Sequence, residues 1–295
     1  MIKRSMLVCA AAILAWHLIM PCLPRTFYAI PGMQRANHLH AQRFVHDTPD
    51  GARVIVGSSM SERLDARALG ANHVKLTFPG GGPFTGLEIV RSTGRRPPVL
   101  WIETNVIIRD AEADLLADTL SPWRMRLRDR SAVFKEEGRP SNYGVGFVKA
   151  VIVKVCRMTS SLSDGAPKSA DYSQRAMDTA VFDDIMKENR AHLDRQPASA
   201  DLAQRVDRLG KYIDELTAAG SKCVCFEMPI DASLKDLAEP AAIRKALKER
   251  FPPGKYHWLD LSRDMPYQTS DGIHLVPTDA DFVIGKMLEF EKGLE

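Results

Sequence analysis

Residues 53–61 read Arg53-Val54-Ile55-Val56-Gly57-Ser58-Ser59-Met60-Ser61. A short β-branched run empties directly into a glycine and two serines. The run predicts a strand buried on both faces, and the break predicts a turn into a helix. Similar runs cover residues 73–78, 99–104, 222–228 and 256–261. Helical patterns lie between and after them, at 61–69, 86–95, 201–219, 241–249 and from Pro277 to the C-terminus. In the third of these, Leu202, Val206, Leu209, Tyr212, Ile213 and Leu216 recur at helical spacing, and Gly220 closes the pattern. Such alternation predicts an α/β fold: three layers, α/β/α, around a central parallel sheet with right-handed crossovers. Ligands of such sheets bind beyond the carboxyl ends of the strands.

Length and composition fit one large core. The chain has 295 residues, 45% of them hydrophobic and 26% charged. A formal net charge of +3 gives no case for a nucleic-acid partner. The sequence has no repeat, no zinc-type Cys/His spacing and no phosphate-cradling Gly-x-x-x-x-Gly-Lys, so no metal and no cofactor is expected. Of five cysteines, Cys9 and Cys22 fall in the N-terminal segment. Cys156, Cys223 and Cys225 remain, and the last two share one strand face, where a mutual bridge would be strained. No required disulfide is expected.

Three regions stand apart from the alternation. Lys3-Arg4 precedes an apolar run from Met6 to Met20, broken only by His17. A positive flank and an apolar run predict a signal anchor over residues 1–24, uncleaved, in the inner membrane with the rest in the periplasm. Secretion after cleavage and a buried N-terminal helix are the alternatives. Residues 25–50 read as a linker that includes Asn37-His38-Leu39-His40, and 51–295 as the folded domain. A charged helical insertion is expected within it at about 106–200. Arg124, Arg126, Arg128 and Arg130, with Lys149, Lys154 and Arg157 around an apolar run, suit an anionic glycan groove, a lipid contact or a plain solvated rim.

The chemistry-bearing residues follow strands. A serine hydroxyl is a weak nucleophile until a base takes its proton. Ser59 stands where a strand-to-helix turn exposes its oxygen, although Ser58 or Ser59 can equally cap the helix. Ser270-Asp271-Gly272-Ile273-His274 lets an aspartate face the imidazole Nδ1 and leave Nε2 as base, or forms an ordinary turn. Gly80, within Pro79-Gly80-Gly81-Gly82-Pro83, permits close approach of backbone N–H groups, or makes only a turn or an anion nest. Asn105 ends the third strand, with a side-chain amide suited to an oxyanion or to an Asx turn.

The joint order is serine after strand one, glycine after strand two, asparagine after strand three, and Asp-x-x-His before the last helix. It resembles the SGNH (GDSL-like) hydrolase superfamily. The resemblance covers roughly residues 53–105 and 222–295. It implies Ser59 as nucleophile, His274 as base, Asp271 as its orienter, and Ser59, Gly80 and Asn105 as the oxyanion hole. Two departures stand out: Ser58 replaces the usual aspartate of Gly-Asp-Ser, and Glu103-Thr104-Asn105-Val106 replaces the usual Gly-x-Asn-Asp. The Gly-Ser-Ser form, the glycine block and the anchor look like the subset that includes alginate O-acetylation proteins and DltD-like proteins of bacterial envelopes. What that implies is acetyl-ester chemistry on a cell-surface or secreted polysaccharide, by transfer or by deacetylation. The implied partners are the glycan and an acetyl donor, which a membrane-bound acyltransferase can supply. A different class stays open: a non-catalytic scaffold that binds glycan or such an acyltransferase.

Overall fold

A computed structural model describes residues 2–23, 32–160 and 179–294. Five parallel strands form one sheet in the order β2-β1-β3-β4-β5. They are β1 Arg53–Gly57, β2 His73–Thr77, β3 Val99–Glu103, β4 Lys222–Phe226 and β5 His257–Leu259. Among the described residues the α-helices are α1 Ile2–Ile19, α2 Met33–Asp47, α3 Ser59–Glu62, α4 Ala66–Leu69, α5 Pro83–Ser92 and α6 Ala113–Thr119. After them come α7 Pro122–Arg130, α8 Pro140–Ser160, α9 Thr179–Leu193, α10 Ser199–Ala218, α11 Ala238–Arg250 and α12 Pro277–Lys292.

The sheet forms where the β-branched runs predict it, because its central strands are covered on both faces. Ile55, Trp101 and Val224 stand side by side in register. With Phe226 they belong to a core that includes Val283, Ile284 and Met287 of α12. On the opposite face Val56 pairs with Leu76 and Ile102, and Ile102 with Cys225. There Gly86 brings α5 close to the sheet: an added Cβ would sit 2.7 Å from Val56 Cγ1 and 3.0 Å from the Leu76 carbonyl. Helices on both faces are consistent with three layers. The chain leaves β1 toward β2 and returns past it to β3, so the switch point lies between β1 and β3, where doubly wound sheets hold ligands.

The chain divides into two compact units. The sheet unit comprises the described residues of 47–117 and 171–295, and a helical unit those of 1–46 and 118–170. The expected insertion is therefore shared: α7 and α8 fall in the helical unit, α9 in the sheet unit. The expected linker contains α2, whose Leu39, Ala41 and Phe44 are buried. Its amphipathic pattern is masked because Asn37 and Gln42 are buried too. Gln42 Oε1 accepts the Glu136 N–H at 2.6 Å, which compensates the burial of that oxygen.

The expected membrane span is not supported. Among the described residues no helix is long and apolar enough to cross a membrane. With 18 residues, α1 is about 27 Å long, and Lys3, Arg4 and His17 shorten its apolar part further. Trp16 of α1 donates to the Gly138 carbonyl at 2.6 Å and meets the Tyr143 ring edge-on. In the arginine row Arg128 is buried, it and Arg124 both pair with Asp118, and Arg126 and Arg130 are exposed. The side chains of Lys149, Lys154, Arg157, Cys9 and Cys156 lie outside the described residues. Cys223 and Cys225 are buried free thiols, and burial pushes Cys223 up to about 11.

Gly86→Ala wedges a methyl group between α5 and β1. The expected loss is about 1–3 kcal/mol of stability, read as a lower urea midpoint with an unchanged slope.

Candidate active site

β1 ends at Gly57 and the chain turns straight into α3. Ser58 caps that helix, its Oγ accepting the Met60 N–H at 3.2 Å. The capping role expected for one of the two serines thus falls to Ser58. Ser58 is wholly buried, whereas Ser59 is only partly so.

The turn is gathered around one carboxylate. Glu103, the last residue of β3, is wholly buried. Its Oε1 accepts the Ser58 hydroxyl at 2.5 Å. Its Oε2 accepts the Ser58 N–H at 2.9 Å, the Ser61 N–H at 3.0 Å and the Ser61 hydroxyl. A buried carboxylate is tolerable only when donors replace its water, and here four donors reach it, one on Oε1 and three on Oε2. Gly57 is required by the same feature, since a Cβ there would lie 2.5 Å from Glu103 Oε2 and 2.7 Å from Ser61 Oγ. Close approach, rather than a positive φ, makes position 57 a glycine.

Ser59 meets His274 across 215 positions of chain, Oγ to Nε2 at 2.8 Å. His274 Nδ1 lies 2.6 Å from Asp271 Oδ2. Asp271 Oδ1 accepts the backbone N–H groups of Ile273 at 3.1 Å and His274 at 2.8 Å. Burial alone would raise the Asp271 carboxyl. The side-chain and backbone hydrogen bonds from His274, with the Ile273 N–H, outweigh it and hold the group below its ordinary value. An ionised Asp271 accepts a proton-bearing Nδ1, so Nε2 presents its lone pair to the Ser59 hydroxyl. The turn is pinned elsewhere as well: Ser270 N donates to the His274 carbonyl at 2.8 Å, and Asp231 N to that of Gly272 at 2.8 Å.

The two further oxyanion candidates fare differently. Asn105 lines the cavity that Ser59 opens onto. Its Nδ2 donates to the Met228 carbonyl at 2.8 Å and its Oδ1 accepts the Met228 N–H at 2.7 Å. That double bond to the chain after β4 fixes the amide and leaves one N–H for a substrate. It also replaces the Asx turn considered from sequence. Gly80 adopts φ 81° in the turn after β2 and is not among the lining residues.

The cavity lies at the carboxyl edge of β1, β3 and β4. Sequence reasoning missed much of its wall, which comes from α9 and α11. Asn189 and Leu193 of α9 line it, with Ile243 and Leu247 of α11. Asn189 also donates to the Asp271 carbonyl at 2.8 Å, and Met186 Sδ fills the space a Cβ at Gly272 would need, at 2.3 Å from it. Among the described residues no cluster of His, Cys, Asp or Glu suits a metal ion. No protein-family model matches the chain, and no curated protein sequence matches it significantly.

Two outcomes follow from this geometry. Glu103→Gln turns an amide donor toward donors already in place, so stability is expected to fall by about 2–3 kcal/mol in urea denaturation. Asp271 titrates lower in the folded chain than its unfolded value of about 3.9. Its contribution is full above that value and is lost as pH falls through the lowered folded value. The stability gap between the wild type and Asp271→Asn is therefore expected to stay constant from about pH 6 to about pH 4 and to shrink below it, as read by urea melts across that range.

Proposed function

We propose that the chain is a serine acyl-ester enzyme of SGNH-like type. The observation that carries this reading is the Ser59–His274–Asp271 relay, with its two contacts at 2.8 and 2.6 Å. Ser59 Oγ attacks an ester carbonyl while His274 Nε2 takes its proton. The oxyanion forms beside the free N–H of Asn105 and the Ser59 backbone N–H. Gly80 is retained as a further donor only on the strength of the resemblance. Collapse expels the alkoxide, which takes the proton back from Nε2 and leaves an acyl-serine. Asp271 keeps the imidazole in the tautomer both steps need, and its carboxylate stabilises the imidazolium between them.

An acceptor hydroxyl then attacks the acyl-serine by the same proton path in reverse. A sugar hydroxyl gives O-acyl transfer and water gives hydrolysis. We favour O-acetyl transfer to a cell-envelope or extracellular polysaccharide, from a donor that a membrane acyltransferase supplies, because the Gly-Ser-Ser form and the glycine block after β2 resemble the envelope O-acetylation proteins. Deacetylation shares the first half-reaction. Lys3-Arg4 ahead of an apolar run supports export toward the periplasm, with residence at the inner membrane or secretion after cleavage as its two forms.

A fluorophosphonate probe tests the nucleophile. Covalent labelling is expected in the wild type and in Ser58→Ala, and absent in folded Ser59→Ala; an unlabelled, folded wild type sinks the reading. Asp271→Asn is expected to slow acylation by roughly 10⁴-fold at neutral pH, because the imidazole adopts the wrong tautomer. With acetyl donor and oligosaccharide together, mass spectrometry is expected to find acetylated glycan. Free acetate alone, at a rate that glycan leaves unaltered, counts for the esterase.

A further inference from the structure

The cavity beside Ser59 is larger and more apolar than an acetyl group needs. Its volume is about 110 Å³. An apolar cavity of about 150 Å³ holds a benzene molecule, so this one has room for about four carbons beyond an ester carbonyl. An acetyl methyl would leave most of it empty, forfeiting contacts along its walls.

The walls point to what fills it. Pro240, Ile243 and Leu247 follow one another at helical spacing on α11 and face the cavity together. From Pro240 to Leu247 the helix rises about 10 Å, so the space extends along α11. Ile230 and Trp258 close it from the ends of β4 and from β5. Several of the polar side chains in the wall are engaged with protein groups. Arg244 donates to both oxygens of Glu227, at 2.8 and 2.7 Å. Asn105 is tied to Met228 and Asn189 to Asp271. Burial pushes the Glu239 carboxyl up, against the pull of His192, Arg109 and Arg195. A sugar would bring several hydroxyls into this space with few partners for them, at a cost for each. An aliphatic chain needs only contacts.

We infer that this cavity is the acyl sleeve of the site, and that Ser59 accepts a straight aliphatic acyl group of about four to six carbons in preference to acetyl. The inference rests on the reading of Ser59 as nucleophile and changes the size of the group it carries. The chemistry is otherwise the same: the Ser59 Oγ–acyl bond forms, the bond to the leaving alcohol breaks, and the serine proton passes through His274 to that alcohol. The glycan then approaches from the open side of the site, with its hydroxyls in water.

The test is a chain-length series of p-nitrophenyl esters on the full chain: acetate, butanoate, hexanoate and decanoate. Each methylene buried is expected to raise kcat/KM by about fourfold. Butanoate is thus expected to exceed acetate by on the order of ten-fold, with hexanoate near the maximum and decanoate lower. Ile243→Trp, which fills the sleeve, is expected to lower the hexanoate-to-acetate ratio by at least about ten-fold. Should that variant fail to fold, Ile243→Ala is expected to move the optimum to a longer chain. A labelled Ser59 with acetate as the best ester overturns the sleeve and leaves the nucleophile standing, as does an optimum that neither substitution moves. An unlabelled Ser59 in folded protein overturns both.

Discussion

A buried carboxylate organises this molecule. Glu103 ends the central strand β3 and receives four donors from the turn that leaves β1. Two neighbouring strands are thereby joined at their carboxyl ends by side-chain chemistry as well as by the ladder. The path of the chain after β1 is held by the bonds of Ser58 and Ser61 to that carboxylate. With Ser58 turned inward to Glu103 and Ser61 held from the other side, Ser59 is the serine of the turn whose hydroxyl meets His274. A charge without water is costly, and its donors come from one short segment, so the segment and the charge stabilise each other.

The rest of the site follows from topology. In a parallel sheet every strand ends on the same rim, and the residue after each strand is offered to one shared space. Ser59 comes from β1 and Asn105 from β3. Met228, which locks Asn105, comes from β4. His274 arrives from the turn before α12, whose apolar face is buried against the sheet through Val283, Ile284 and Met287. Burying that face sets where the turn stands, and the backbone N–H groups of Ile273 and His274 set how Asp271 faces the ring.

The readable part of this arrangement was the part written locally. Val54-Ile55-Val56 and Leu100-Trp101-Ile102 announce strands because burial on both faces demands continuous apolar runs. Ser59, Asp271 and His274 are legible because their side-chain types and their places after predicted strands are tied to one chemistry. Glu103 was visible only as a departure from a resembling pattern. Its role depends on donors some 42 to 45 positions away. The helix of α2 hid within an expected linker because Asn37 and Gln42 are buried, and a polar residue inside a core breaks the periodicity that betrays a helix. Boundaries of α3 and α4 differ from the single helix expected over 61–69 because Asp65 caps a second short helix, its side chain accepting the Arg67 N–H. The wall from α9 was not legible, since nothing in 179–193 announces which way that helix packs.

That helix touches both the cavity and the Asp271 turn. Asn189 holds the backbone of Asp271, Met186 occupies the room above Gly272, and Leu193 faces the cavity. Leu193 stands one helical turn from Asn189, the residue that holds the Asp271 backbone. On the proposed reading, the wall that selects the occupant and the support of the proton relay share α9, so a substitution along this helix bears on both.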